Sequence, residues 1–138
     1  MKKFFILLTF IAICFAAFLI FHNKKDISEN SSQIILSDEY SRESYLNLKG
    51  WDVSLIKNEK ITIPSSFDGV YQTYAQIQEK QKLPLKNYKG QQADRYVYAI
   101  NNYNSDQIVY AELLIVNDQL VSGALIGLSP ESFIKELY

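Results

Sequence analysis

A chain of 138 residues, 48% hydrophobic and 21% charged, has room for one domain of ordinary size beside a targeting segment. Fourteen basic residues stand against fifteen acidic ones, but four lysines fall within residues 1–25 and no acid does, so the remainder carries a net charge of −5. A mildly acidic remainder without clustered Lys and Arg excludes nucleic acid as a partner. A single Cys and a single His exclude thiol–imidazole catalysis and a Cys/His zinc site.

Residues 4–21 are apolar except for Thr9, with Lys2 and Lys3 before them and His22, Lys24 and Lys25 behind. As a helix, a run of this length reaches about 27 Å, close to the ~30 Å hydrocarbon core, so a transmembrane helix is predicted. A cleaved signal peptide is the alternative, but a cut after Ala17 would leave Phe18, Leu19, Ile20 and Phe21 exposed. The segment Ile11-Ala12-Ile13-Cys14 is similar to a lipoprotein cleavage site, yet Ile13 is too bulky for its position, and Cys14 reads as an apolar member of the run. Two lysines flank each side, so the orientation rests on the short leader, which is typical of an anchor that sends the following chain outward. The expectation is an uncleaved signal anchor over 1–23 and a domain on the extracytoplasmic side of the cell membrane. A cleaved leader would make it a secreted protein.

Residues 24–33, KKDISENSSQ, carry no apolar period and read as a polar tether. The domain proper is expected over 34–138. Ser37 is the expected cap of a helix over 38–48, with acids in its first turn, an apolar edge at Tyr45 and Leu48, and Gly50 as its stop. Residues 51–56 alternate as a half-buried strand, Lys57-Asn58-Glu59 reads as a turn, and residues 60–63 form a second strand that Pro64 ends. Beyond Ser65 or Ser66, the positions Phe67, Val70, Tyr71, Tyr74, Ile77 and Gln78 recur at helical spacing and predict a core-facing stripe that ends near Gln81 or Lys82.

Leu83-Pro84-Leu85 and Tyr88-Lys89-Gly90 predict a compact connection that tucks two leucines inward. Residues 95–100, 107–116 and 119–126 are strands rich in β-branched and aromatic residues, the last two joined by a two-residue turn at Asn117-Asp118. Ser129, Pro130 and Glu131 have the chemistry of a helix start and predict a closing helix with Phe133, Ile134 and Leu137 on its apolar side. The order α-β-β-α-β-β-β-α gives an α+β fold: an antiparallel sheet of about five strands, covered by helices on both faces over part of its width.

No glycine-rich phosphate loop or dinucleotide fingerprint is present, and no cofactor or metal is expected. The loop 101–106 offers one carboxylate, too few for a calcium site. Asp94 and Glu112, in strands expected to be neighbours, are the pair that a carboxylate-dependent hydrolase acting on cell-wall glycan or peptide would use. For recognition, Arg95, Tyr96, Tyr98 and Tyr103 with Asn101 and Asn102 are the residue types that dominate interfaces, although a sheet face of them can equally pack beneath a helix. Alternation places Tyr96 and Tyr98 on one side and Arg95 on the other.

Four blocks in one order, residues 48–53 (LKGWDV), 63–74 (IPSSFDGVYQTY), 85–90 (LKNYKG) and 95–98 (RYVY), followed by an apolar hairpin, make the chain similar to the bacterial family known as domain of unknown function 4830. The resemblance implies a small exported or membrane-anchored protein of Gram-positive bacteria, and it carries over no activity and no site residues. That family often has two glycines in its last strand where this sequence has Ser122-Gly123, a departure that would matter if another backbone approached there. The function expected from the sequence is a non-catalytic binding module at the cell envelope, in contact with another envelope protein or a wall component.

Overall fold

The computed structural model describes residues 32–104, 106–129 and 131–138. Of the two units into which the chain divides, 1–32 and 33–138, these residues belong almost wholly to the second. The expected anchor over 1–23 and nearly all of the tether over 24–33 lie outside the described residues. Among the described residues no helix is long and apolar enough to cross a membrane.

The second unit is α+β. Its elements are α1 (Glu39–Leu48), β1 (Val53–Thr62), α2 (Val70–Lys80), a single 3-10 turn (Leu85–Tyr88), β2 (Gln92–Ile100), β3 (Ile108–Val116), β4 (Gln119–Ser129) and β5 (Phe133–Lys135). The five strands form one sheet in chain order, and every neighbouring pair is antiparallel. Between β1 and β2 the chain leaves the sheet to make α2 and the 3-10 turn, then returns where Gly90 N donates to Ile63 O and Ile63 N to Gln91 O, both at 2.9 Å.

Side-chain alternation splits the strands between two cores. Ala111, Leu113, Leu125 and Tyr98 face one side, where Leu46 of α1 packs with Leu36, Leu83 and Leu137. Leu114, Val121, Ala124 and Ala93 face the other, under Tyr74 of α2 with Ile63 and Leu85. Each fully buried leucine contributes about 1.5–3 kcal/mol relative to an exposed one, so neither face holds without its cover. The two-sided burial expected of the last strands is what forms.

Asp38, one residue beyond the expected Ser37, caps α1: its carboxylate accepts from Ser41 N at 2.7 Å while Ser41 Oγ accepts from Asp38 N at 3.1 Å. At the other end Gly50, with φ +94°, lets Trp51 N reach Leu46 O at 3.1 Å and close the helix. The inward edge of α1 is Arg42 and Leu46 with Tyr45 beside them; Leu48, expected on that apolar edge, is 86% exposed. Helix α2 starts at Gly69 (φ +53°) rather than at a serine cap. Tyr74, Ile77 and Gln78 of its stripe are buried as expected, whereas Val70 and Tyr71 overhang the sheet.

Two expected elements differ. Lys57-Asn58-Glu59 is no turn: β1 runs through it, because these residues pair with Val97, Tyr96 and Arg95, and Glu59 meets the Arg95 guanidinium across the ladder. A shift of register leaves Ile56 as a bulge on this edge strand, and with Lys57 and Lys60 it disfavours edge-to-edge association. The closing helix is instead β5, which pairs Phe133 with Gly127 and Ile134 with Ile126. Two and a half turns of helix would gain few internal bonds, while the strand pairs with β4 and buries Leu137.

Candidate functional site

The covered and uncovered parts of the α2 face meet at a cleft of about 420 Å³, within the range of ~300–1,000 Å³ usual for ligand sites. Ile61, Leu114, Ile126 and Ile134 rise from the sheet on its sides, and Val70, Tyr71 and Tyr74 of α2 close over it. Gly69 starts the helix beside the cleft, and the first two residues after it, Val70 and Tyr71, are exposed.

At its base lies a charged chain. Arg95 donates from Nε to Glu112 Oε2 at 2.6 Å and from its NH1 nitrogen to Glu59 Oε1 at 2.5 Å, so one guanidinium joins strands β1, β2 and β3. Glu59 in turn pairs with Lys57 at 2.9 Å. The other oxygen of Glu112 accepts from the Tyr74 hydroxyl at 3.1 Å, and Ser122 Oγ lies 2.6 Å from that hydroxyl. The register explains the assembly, because Glu59 stands opposite Arg95 and Glu112 opposite Val97, a diagonal neighbour on the same face.

The electrostatics follow from these contacts. Burial alone would lower the affinity of Arg95 for its proton, but its bonds to Glu59 and Glu112 outweigh that and hold the guanidinium charged. Bonds from Lys57 first and Arg95 second hold the Glu59 carboxyl below its usual range. Burial, with the charge of Glu112 beside it, pushes the Tyr74 phenol well above its ordinary value, so it remains a neutral donor.

The sequence candidates separate. Arg95 is in the cleft, while Tyr96 and Tyr98 point to the opposite face, where Arg42 Nε donates to the Tyr98 hydroxyl at 3.1 Å and its guanidinium lies 3.9 Å from the Tyr96 ring centre. Tyr98 is wholly buried there. Asn102 ties the turn before β1, donating to Gly50 O and accepting from Asp52 N, both at 2.9 Å, and Asn101 donates to Ser54 Oγ at 3.1 Å. Tyr103 stacks between Trp51 and Phe133, at 5.8 and 6.3 Å between ring centres, and accepts from Lys135.

Asp94 and Glu112 are likewise on opposite faces, since Asp94 stands across from Ile115 and Glu112 across from Val97. Asp94 is instead bonded to Lys60 at 2.8 Å. Sequence reasoning missed Glu59 as a partner of Arg95 and Tyr74 as a partner of Glu112. The spacing of Glu59 was legible only once β1 was known to continue past Asn58, and Tyr74 was read as core, which its ring is.

Among the described residues no group of three or more His, Cys, Asp or Glu side chains is placed to hold a metal ion. Neither a family model, nor a curated protein, nor a solved structure matches the chain.

Proposed function

We propose that the domain is a non-catalytic binding module, displayed on the extracytoplasmic side of a bacterial membrane by the anchor at 1–23, and that its ligand seats in the cleft under α2. One observation carries this reading: an apolar-walled cleft with a fixed ionic base and an exposed apolar rim, Val70 being 76% and Tyr71 and Ile134 each 40% exposed. A side chain that packs a core is buried; these three border a concavity instead.

The alternative, a carboxylate-dependent hydrolase, needs one carboxyl to hold a proton at neutral pH. Glu59 and Glu112 are the carboxyls in the cleft, and both are bonded to Arg95. Glu59 is held below its usual range, the opposite of what a general acid requires.

A photo-crosslinking residue placed at position 70, at the rim, tests the reading in cells that make the protein. A discrete adduct is expected from position 70, none from position 47 on the exposed side of α1, and loss of the adduct when Ile134→Glu fills the far wall. Equal labelling from both positions, or an adduct indifferent to Ile134→Glu, rejects the cleft as the contact surface.

A further inference from the structure

The walls of the cleft favour an apolar occupant, and its base decides what that occupant carries. Three ionised side chains line it, Glu59, Glu112 and Arg95, so the lining is net negative. Lys57 offsets Glu59 in part, but its side chain is 55% exposed and its charge is screened by water, whereas Glu112 is 11% exposed. The sequence beyond residue 25, these side chains included, carries a net charge of −5, a field of the same sign.

Hydrogen-bonding capacity points the same way. Two carboxylates offer about eight acceptor directions, about four on each. Among the described residues Arg95, Tyr74 and Lys57 fill five of them, three on Glu112 and two on Glu59. An incoming carboxylate would meet an arginine already paired twice and two like charges beside it. An incoming ammonium brings three donors to acceptors that are free to take them, while an aliphatic stem can lie along Ile61, Leu114 and Ile126.

The rim narrows the source. Val70, Tyr71 and Ile134 line the cleft yet stay exposed, so they offer apolar surface to whatever enters it. A polypeptide inserting one side chain and resting its neighbours on the rim covers both base and rim. We propose that the cleft takes a lysine side chain of a partner polypeptide whose flanking residues are apolar. This rests on the cleft being the binding site, and it adds the chemistry of what binds.

The test uses the full chain in phosphatidylcholine nanodiscs, empty discs as blank, and three fluorescein-labelled peptides, Ser-Leu-X-Leu-Ser with X as lysine, norleucine or glutamate. Fluorescence polarisation should rank lysine about tenfold tighter than norleucine, with glutamate weakest. Glu59→Gln, on the edge strand, should narrow the gap between lysine and norleucine, and Tyr71→Ala should weaken both. If lysine and norleucine bind equally and Tyr71→Ala weakens both, the charge proposal is overturned and the cleft stands. Tightest binding by the glutamate peptide also overturns it, with Arg95 then the anchor. If no peptide binds, or Tyr71→Ala leaves all three unchanged, the cleft reading falls as well.

Discussion

Arg95 Nε lies 2.6 Å from Glu112 Oε2, and this contact ties the second strand to the third on the face opposite Tyr96 and Tyr98. Arg95 keeps 25% of its side-chain surface and Glu112 11%, so the pair is partly shielded from water. Breaking such a pair by removing one member leaves the other charge desolvated. Arg95→Met should therefore cost about 2–4 kcal/mol, at the lower side of the range for a broken buried pair. Arg95→Met combined with Glu112→Leu should recover most of that loss, because no unpaired charge remains next to Glu59. Urea midpoints of the three proteins check this; a single substitution no worse than the double one would show that the pair is not what holds these strands.

A second relationship covers the part of β4 that β5 leaves unpaired. Gly123 N donates to Gln78 Oε1 at 2.9 Å, Gln81 Nε2 donates to Gly123 O at 2.8 Å, and Gln81 Oε1 accepts from Leu137 N at 2.9 Å. Gln78 of α2 and Gln81, its C-cap, thus stand where β5 would continue, and the terminal segment is held in the same arrangement. Gln81→Leu leaves two buried backbone groups without partners, and the expected cost is about 1–3 kcal/mol each. Amide exchange at Leu137 should accelerate more than exchange in β2. Unchanged protection at Leu137 would mean that the Trp51 bond to Leu137 O and the packing of Leu137 already suffice.

How far the sequence revealed this structure depends on which partner each residue needed. The α2 stripe was legible at Tyr74, Ile77 and Gln78 because helical period and burial coincide there, and the hairpin at Asn117-Asp118 was legible because both adopt the positive φ, +49° and +63°, that such a turn requires. Lys57-Asn58-Glu59 misled because polar residues in an edge strand look like a turn until their cross-strand partners are known. The segment after Ser129 misled because capping chemistry is local, whereas the competing strand draws on its pairing with β4 and the segment after it on a bond from Trp51, 86 residues away, to Leu137. The Arg95 cleft was half legible. Arg95 and Glu112 were each singled out, for different reasons, and only the register brings them together.

Gly127 tests the strand that replaced the expected helix. A Cβ there would lie 2.5 Å from Cδ1 of the Phe133 ring, so the ring packs directly on bare backbone. Gly127→Ala must displace Phe133, at a cost of about 1–3 kcal/mol for overpacking. Because Phe133 also stacks on Tyr103, the substitution should loosen the loop that carries Tyr103. Chemical shifts of Tyr103 and Lys135 report this directly. Their constancy in a Gly127→Ala protein of full stability would place Phe133 elsewhere than on Gly127.

Ser122 has a use that a glycine at its position could not supply: its hydroxyl meets that of Tyr74. The Tyr74–Ser122–Glu112 group also sets the response to alkali. Burial raises the Tyr98 and Tyr74 phenols, Tyr74 well above its ordinary value with the Glu112 charge adding to the effect. A phenol raised in the folded state contributes stability that is full below the unfolded value, near 10, and is lost as the pH climbs toward the folded one. Carboxyls held low act in the reverse sense: Asp38 by the Ser41 N–H, Glu59 by Lys57 and then Arg95, and Glu136 by its own backbone N–H and then Lys80. Their contribution is present above the unfolded value, about 4, and disappears as the pH falls through the folded values. Urea midpoints should therefore be flat near neutrality, fall below about pH 4 and fall again above about pH 10. Tyr74→Phe should cost about 1–3 kcal/mol at pH 7, from the partners it leaves on Ser122 and Glu112, yet show a shallower decline above pH 10. An alkaline slope identical in the two proteins would mean that Tyr74 does not ionise when the domain unfolds in that range, and its burial would then have no part in the pH response.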